Sequence, residues 1–178
     1  MPIARPTAIQ TVCEWIMEKR PKRVLDIGIG FGMWGFLARN YGVMWDPTLT
    51  KEKYHNWKNE ITVDGIEISK DLITPLQELI YNKIYIGNML DIIPKLGKYD
   101  LIIMGDVIEH VTKEEAISFL KIVREKGPII LTTPDYWNEG KAIMGNEHEK
   151  HKCWIKDEDF PGTPIIYHIG QQKIVIYE

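Results

Sequence analysis

Two stretches of this sequence gather residue types able to do chemistry. The first is Asp26-Ile-Gly28-Ile-Gly30-Phe-Gly32-Met-Trp-Gly35, a carboxylate followed by closely spaced glycines. Glycines at this spacing let a turn pass close to a bound molecule, and a helix opening just after it presents free backbone N–H groups. The second stretch, 145–154, carries Glu147, His148, Glu149, His151 and Cys153 within ten residues. Histidine and cysteine at short spacing raise the possibility of a metal. This stretch contains no CxxC or HxxxH pair, however, and charged exposed loops are common, so no metal site is assigned.

The glycine run can be read in two registers. Gly30-Phe-Gly32-Met-Trp-Gly35 matches GxGxxG, a dinucleotide fingerprint, whereas Asp26-Ile-Gly28-Ile-Gly30-Phe-Gly32 matches DxGxGxG. Either match alone is weak. A dinucleotide places its pyrophosphate at the helix N-terminus, and Asp26 would set a negative charge beside those phosphates. S-adenosylmethionine has no phosphate. It brings an ammonium and a sulfonium instead, and a carboxylate suits both, so the second register is preferred.

The pattern around these residues predicts the elements that must position them. Thr7 is placed to cap a helix with Ile9, Val12, Cys13 and Ile16 at helical spacing, stopped by Pro21. A buried strand over 23–27 runs into the glycine turn, and a helix follows through 36–41. A second strand is expected over 61–68. Thr74, Pro75 and Gln77 then form a capping box for a helix whose buried face is read as Leu76, Leu79 and Ile80. Strands over 83–86, 100–104 and 129–133 follow, with a helix between the last two that opens on Thr112 and Glu115 and buries Ala116, Phe119, Leu120 and Val123. Strands alternating with helices imply a parallel sheet with right-handed crossovers. The segments 164–169 and 173–177 lie too close together for a crossover and form an antiparallel hairpin. The expected fold is α/β: a doubly wound, mostly parallel seven-stranded sheet ending in that hairpin, in a single domain over 1–178.

Two connections are long enough to matter. One, about 43–60, holds Trp45, Tyr54 and Trp57 and reads either as a lid over an acceptor or as a satellite core. The other, about 135–160, reads as an acceptor-side loop.

With these motifs in this order, the chain resembles the class I S-adenosylmethionine-dependent methyltransferases over almost its whole length. Val24-Leu-Asp-Ile-Gly-Ile-Gly-Phe-Gly32 looks like their first motif. Glu67 matches the acidic residue that accepts from both ribose hydroxyls. Gly87-Asn88-Met89 stands where the family usually has Gly-Asp-Ala, the Asn88 carbonyl remaining able to accept from an adenine amino group. The run from Tyr99 to His110 resembles the fourth motif, and Ile130 to Pro134 the fifth-strand segment. Asp26 and Glu67 stand farther apart than usual because of the aromatic insertion.

The resemblance implies S-adenosylmethionine as cofactor, with S-adenosylhomocysteine as product. The implied cofactor residues are Asp26, Gly28, Gly30, Gly32, Glu67, Ile68, Asn88, Met89, Gly105 and Asp106. Ile68 and Met89 could equally be core. If the acceptor is a hydroxyl, His110, His148 and His151 are candidate bases, and His110 and His151 are assigned the catalytic role. A narrower resemblance is to small-RNA 3′-terminal ribose methyltransferases, which bind a divalent metal through Glu-x-x-Glu-His and a later His before a Trp. Here the matching positions are Asp106-Val-Ile-Glu109-His110, with His148 or His151 before Trp154. A cofactor-binding module without catalysis is the alternative of another class, and a nicotinamide enzyme is disfavoured by Asp26.

Composition bounds these readings. The chain has 178 residues, with 22 Lys and Arg against 25 Asp and Glu, a net charge of −3. That balance disfavours a broad nucleic-acid surface, which normally carries a basic excess, and favours a small-molecule acceptor. No apolar run reaches the roughly 18 residues of a membrane span, and the first ten residues lack the apolar stretch of a signal peptide. Two cysteines make no disulfide framework. A cytoplasmic location is expected.

Overall fold

In the computed structural model, which describes residues 5–140, 142 and 145–178, three positions of the expected acceptor-side loop and residues 1–4 lie outside the described residues. Short runs rich in Val, Ile and Leu form the strands, the inner ones buried on both faces as strands between two helical layers must be and the two edge strands largely exposed. The strands are β1 (Arg23–Ile27), β2 (Thr62–Glu67), β3 (Lys83–Ile86), β4 (Leu101–Gly105), β5 (Ile129–Pro134), β6 (Ile165–Ile169) and β7 (Gln172–Tyr177). They make one seven-stranded sheet in the order β3-β2-β1-β4-β5-β7-β6. β1 to β5 are parallel, and β7 runs antiparallel to both β5 and β6. The α/β sheet with its antiparallel hairpin is therefore as the sequence predicts.

Alternating strand residues feed two cores. Leu25, Ile27, Ile102, Met104, Ile129 and Leu131 pack under α7 (Lys113–Val123) with Ala116, Phe119, Leu120 and Val123. On the opposite face Val24, Leu101, Ile103 and Ile130 pack under Val12 and Ile16 of α1 (Ile9–Lys19) and Trp34 and Ala38 of α2 (Met33–Arg39). The predicted capping boxes at Thr74/Gln77 and Thr112/Glu115 both form, opening α5 (Pro75–Ile80) and α7.

Three local expectations are corrected. Thr7 does not cap α1. Pro6–Ala8 wind as a single 3₁₀ turn ahead of it, and the Thr7 hydroxyl instead donates to Gln172 Oε1 on β7. The buried face of α5 is not Leu76, Leu79 and Ile80 but Gln77 and Ile80, and Leu76 and Leu79 are exposed. Gln77 is drawn inward because its amide bonds the backbone carbonyls of Gly30 (2.8 Å) and Leu72 (2.9 Å). Finally, the helix after the glycine turn is α2, extended by a π-helical turn over Asn40–Met44.

The aromatic insertion forms α3 (Lys51–His55) and α4 (Trp57–Glu60) and leads into the N-terminal end of β2. That is the sheet edge opposite the glycine turn, which follows the carboxyl end of β1. Trp57 packs on the α1/α2 core and under the Arg39 guanidinium, 5.3 Å from its ring centre. Trp45 is 68% exposed. Trp57 thus packs against the core, while Trp45 and Tyr54 are exposed and α3 and α4 bury no residue.

Candidate functional site

Four strands deliver their following loops to the same edge of the sheet, the carboxyl edge, where open α/β sheets bind ligands. The loops after β1, β2, β3 and β4 wall one cavity there. Gly28, Gly30, Glu67, Ile68, Asn88, Met89, Gly105, Asp106 and His110 all line it, joined by His148 and Lys152 of the 145–154 loop.

The glycine turn has its shape for two physical reasons. Gly32, the N-cap of α2, sits at φ 89°, a left-handed conformation that a side chain disfavours. At Gly28 a side-chain carbon would overlap Val107 in the loop after β4, so glycine lets the two loops close together. Glu67, nearly buried at the end of β2, fastens the turn from below. Its Oε2 accepts from Gly30 N at 3.0 Å and its Oε1 from Ser69 N at 3.0 Å. A carboxylate has about four lone-pair directions, so it retains acceptor capacity toward the cavity. The Asn88 carbonyl caps α6 (Met89–Ile92), accepting from Leu90 N at 2.9 Å.

Asp26 is not where the sequence reading puts it. Its carboxylate is fully buried and absent from the cavity wall. Oδ2 accepts from Tyr81 Oη at 2.6 Å and from Gly35 N at 3.1 Å. Burial pushes its pKa up to about 7, and the two hydrogen bonds offset only part of that. Asp26 supports the turn and the start of α2 from inside. Gly32 likewise shapes the turn without lining the cavity. Asp106, in the left-handed region at φ 54°, is tied to its neighbours. It accepts from Thr132 Oγ1 at 2.9 Å and from Gln172 Nε2 at 2.8 and 2.9 Å.

The two assigned histidines meet at the His110 end of this edge. Their rings lie 5.1 Å apart, edge to face at 70°. The backbone brings them there: Lys152 N and Cys153 N both donate to Glu109 O, at 2.8 and 3.2 Å, docking the 145–154 loop onto the turn after β4. Burial, then the neighbouring His110, lower the His151 pKa below the usual imidazole value. The same docking gathers residues that the narrower resemblance named, with His151 as the later histidine. Donor atoms of Glu109, His110 and His151 all lie within 4.8 Å of one another. Glu109 is buried, with Oε2 accepting from Thr133 Oγ1 at 3.3 Å and Oε1 without a partner among the described residues. Desolvation, then nearby Asp106, hold its carboxyl well above the ordinary range. One carboxylate and two imidazoles are a donor set that suits a divalent cation. His148 is outside that group and lines the cavity.

No protein-family model matches the chain, and no curated protein matches it in sequence. Solved structures share its fold. An O-methyltransferase family protein from Burkholderia thailandensis superposes with TM-score 0.64 at 12% identity, over 94% of this chain and 54% of that one. The N-terminal domain of EvdMO1 with S-adenosylhomocysteine bound gives 0.61 at 12%, over 97% and 80%. The small RNA methyltransferase HEN1 gives 0.64 at 18%, over 96% of this chain but 25% of that one. The chain thus spans about half of the first and a quarter of the last, and it has the Rossmann-like fold of the class I methyltransferases.

Proposed function

We propose that this chain, built on the methyltransferase fold, binds S-adenosylmethionine in the carboxyl-edge cavity and passes its methyl group to an acceptor at the His110 end. The observation that carries the reading is the convergence of Gly28, Gly30, Glu67, Asn88 and Gly105 on one cavity from four separate loops. These residues fit the cofactor. Glu67, an acceptor-only group, suits two ribose hydroxyls. Ile68 and Met89 offer apolar surface to an adenine ring, with Asn88 beside them. When bound, the cofactor supplies a methyl group already activated on a sulfonium.

The chain's own contribution is then chiefly to hold an acceptor close and in line with that methyl. A hydroxyl acceptor also needs its proton removed, and His110 on the cavity wall is placed to take it. His151, its pKa lowered by burial, stays neutral at physiological pH and backs the His110 ring.

A second reading rests on a specific observation, the Glu109–His110–His151 group. These residues would hold a divalent cation, whose positive charge favours an ionised acceptor hydroxyl. Together with the fold shared with a small RNA methyltransferase, this supports a ribose hydroxyl at an RNA 3′ end as acceptor. The net charge of −3 and the scarcity of basic residues around the cavity favour a small molecule instead.

Transfer from methyl-labelled S-adenosylmethionine, offered hydroxyl-bearing small molecules and short RNAs with Mn²⁺ or with EDTA, separates the readings. Label on a small molecule bears out the first. Label on RNA 3′ ends that vanishes in EDTA establishes the second. Cofactor binding with no transfer to any acceptor would reduce the protein to a non-catalytic module.

A further inference from the structure

His168 and Lys173 stand directly opposite each other on the antiparallel strands β6 and β7. Side chains so placed share a face of the sheet, where two like charges repel. Two carboxylates lie between them. His168 Nδ1 meets Asp135 Oδ2 at 2.7 Å, and its Nε2 meets Asp157 Oδ2 at 3.0 Å. Lys173 Nζ lies 2.7 Å from Asp157 Oδ1 and 3.5 Å from Asp135 Oδ1. Each cation touches both carboxylates, so the four groups close a ring that carries no net charge when His168 is protonated.

The geometry favours that protonated form. A neutral imidazole offers one N–H and one lone pair, and a carboxylate only accepts. Both ring nitrogens face carboxylates, so both bonds exist together only in the imidazolium. A neutral ring would turn its lone pair on one carboxylate and leave the cluster with an excess negative charge. Asp135 first and then Asp157 accordingly raise the His168 pKa above its ordinary value of 6.5.

The ring also fastens a particular piece of chain. Asp135 directly follows β5, and Asp157 opens the 3₁₀ turn Asp157–Asp159. Buried Lys173 donates to Ile155 O at 3.0 Å as well, so the 155–157 backbone is pinned to the hairpin. A few residues earlier the chain carries His151, and Lys152 N and Cys153 N dock on Glu109 O. The segment 151–157 therefore has two anchors. The first joins backbone to backbone and does not titrate; the second contains His168.

We propose that the His168–Asp135–Lys173–Asp157 ring is a proton-operated latch on the segment that carries His151, tight while His168 is charged and looser when it is neutral. Lys173 still bridges both carboxylates in the neutral state, so the segment loosens without detaching. Because folding raises the His168 pKa, the latch's contribution is complete below about 6.5 and is lost as pH rises through the folded value. The latch adds regulation to the acceptor end proposed above, and its physics does not depend on which cofactor binds.

The test is amide hydrogen exchange of the unliganded protein from pH 6 to 9, corrected for the intrinsic pH dependence of exchange. Protection over 151–157 should fall roughly two- to fivefold across the titration of His168, the scale of a half-exposed ion pair. His168→Gln should start at the lower protection and show no such step. Any loss of global stability from Asp26 is common to both proteins, so their difference isolates His168. A second measurement needs no variant: the His168 ring signal in NMR should titrate above 6.5, with the same midpoint as the protection step. A flat profile in wild type, a step that persists in His168→Gln, or midpoints that disagree would overturn the latch. Measured without ligand, each of these outcomes leaves the cofactor reading untouched.

Discussion

Tyr81 donates a hydrogen bond to Asp26 Oδ2 at 2.6 Å inside the protein, joining the end of α5 to the strand that carries the glycine turn. The pair couples the turn's support to the protonation of one buried carboxyl.

That coupling fixes the sign of a pH effect. Burial raises the Asp26 pKa from 3.8 to about 7, so between those values the folded protein holds a proton that the unfolded chain releases. The stabilisation from this group is complete below about 4 and is lost as pH rises through about 7. Asp26→Asn cannot titrate. Its melting temperature, followed by calorimetry from pH 4 to 8, should slope downward less than that of wild type. Parallel curves for the two proteins would remove the role assigned to the carboxyl.

Arg39 holds the aromatic insertion to the sheet's other edge. Its buried guanidinium donates to the carbonyls of Ile80 (3.0 and 3.1 Å) and Lys58 (3.0 Å), to Ile61 O, and to Asn82 Oδ1. Arg39→Met strands these acceptors and should cost about 2–4 kcal/mol in denaturant unfolding. Because the cavity lies at the opposite edge, S-adenosylhomocysteine affinity in the folded variant should stay near that of wild type. A large loss of affinity would show that the two edges are coupled.

The insertion's exposed rings carry a complementary expectation. Trp45→Ala and Tyr54→Ala should change stability by no more than about 0.5 kcal/mol, as exposed substitutions usually do. Neither should alter methyl transfer. Reduced acceptor turnover in either variant would support the lid reading instead.

The strands were legible because buried parallel strands are nearly unbroken Val, Ile and Leu runs, and the capping boxes because Thr-x-x-Gln and Thr-x-x-Glu are local signals. Glu67 could be singled out because the resemblance names an acidic residue near the end of the second strand. The misreadings have a common cause. Thr7, Gln77 and Asp26 are polar residues whose partners, Gln172, Gly30 and Tyr81, are distant in sequence, and no local pattern announces a long-range hydrogen bond. For Glu109, His110 and His151 the narrower resemblance named the positions but left His148 or His151 open, and the docking of the 152–153 backbone N–H groups on Glu109 brings His151 to the group.

The central claim is the cofactor, and calorimetric titration tests it most directly. Wild type should bind S-adenosylmethionine and S-adenosylhomocysteine but not NADH. Glu67→Ala, which loses the acceptor for the ribose as well as for Gly30 N and Ser69 N, should weaken both at least about tenfold. A protein that prefers NADH, or that binds neither adenosyl compound, would contradict the account and leave only the fold.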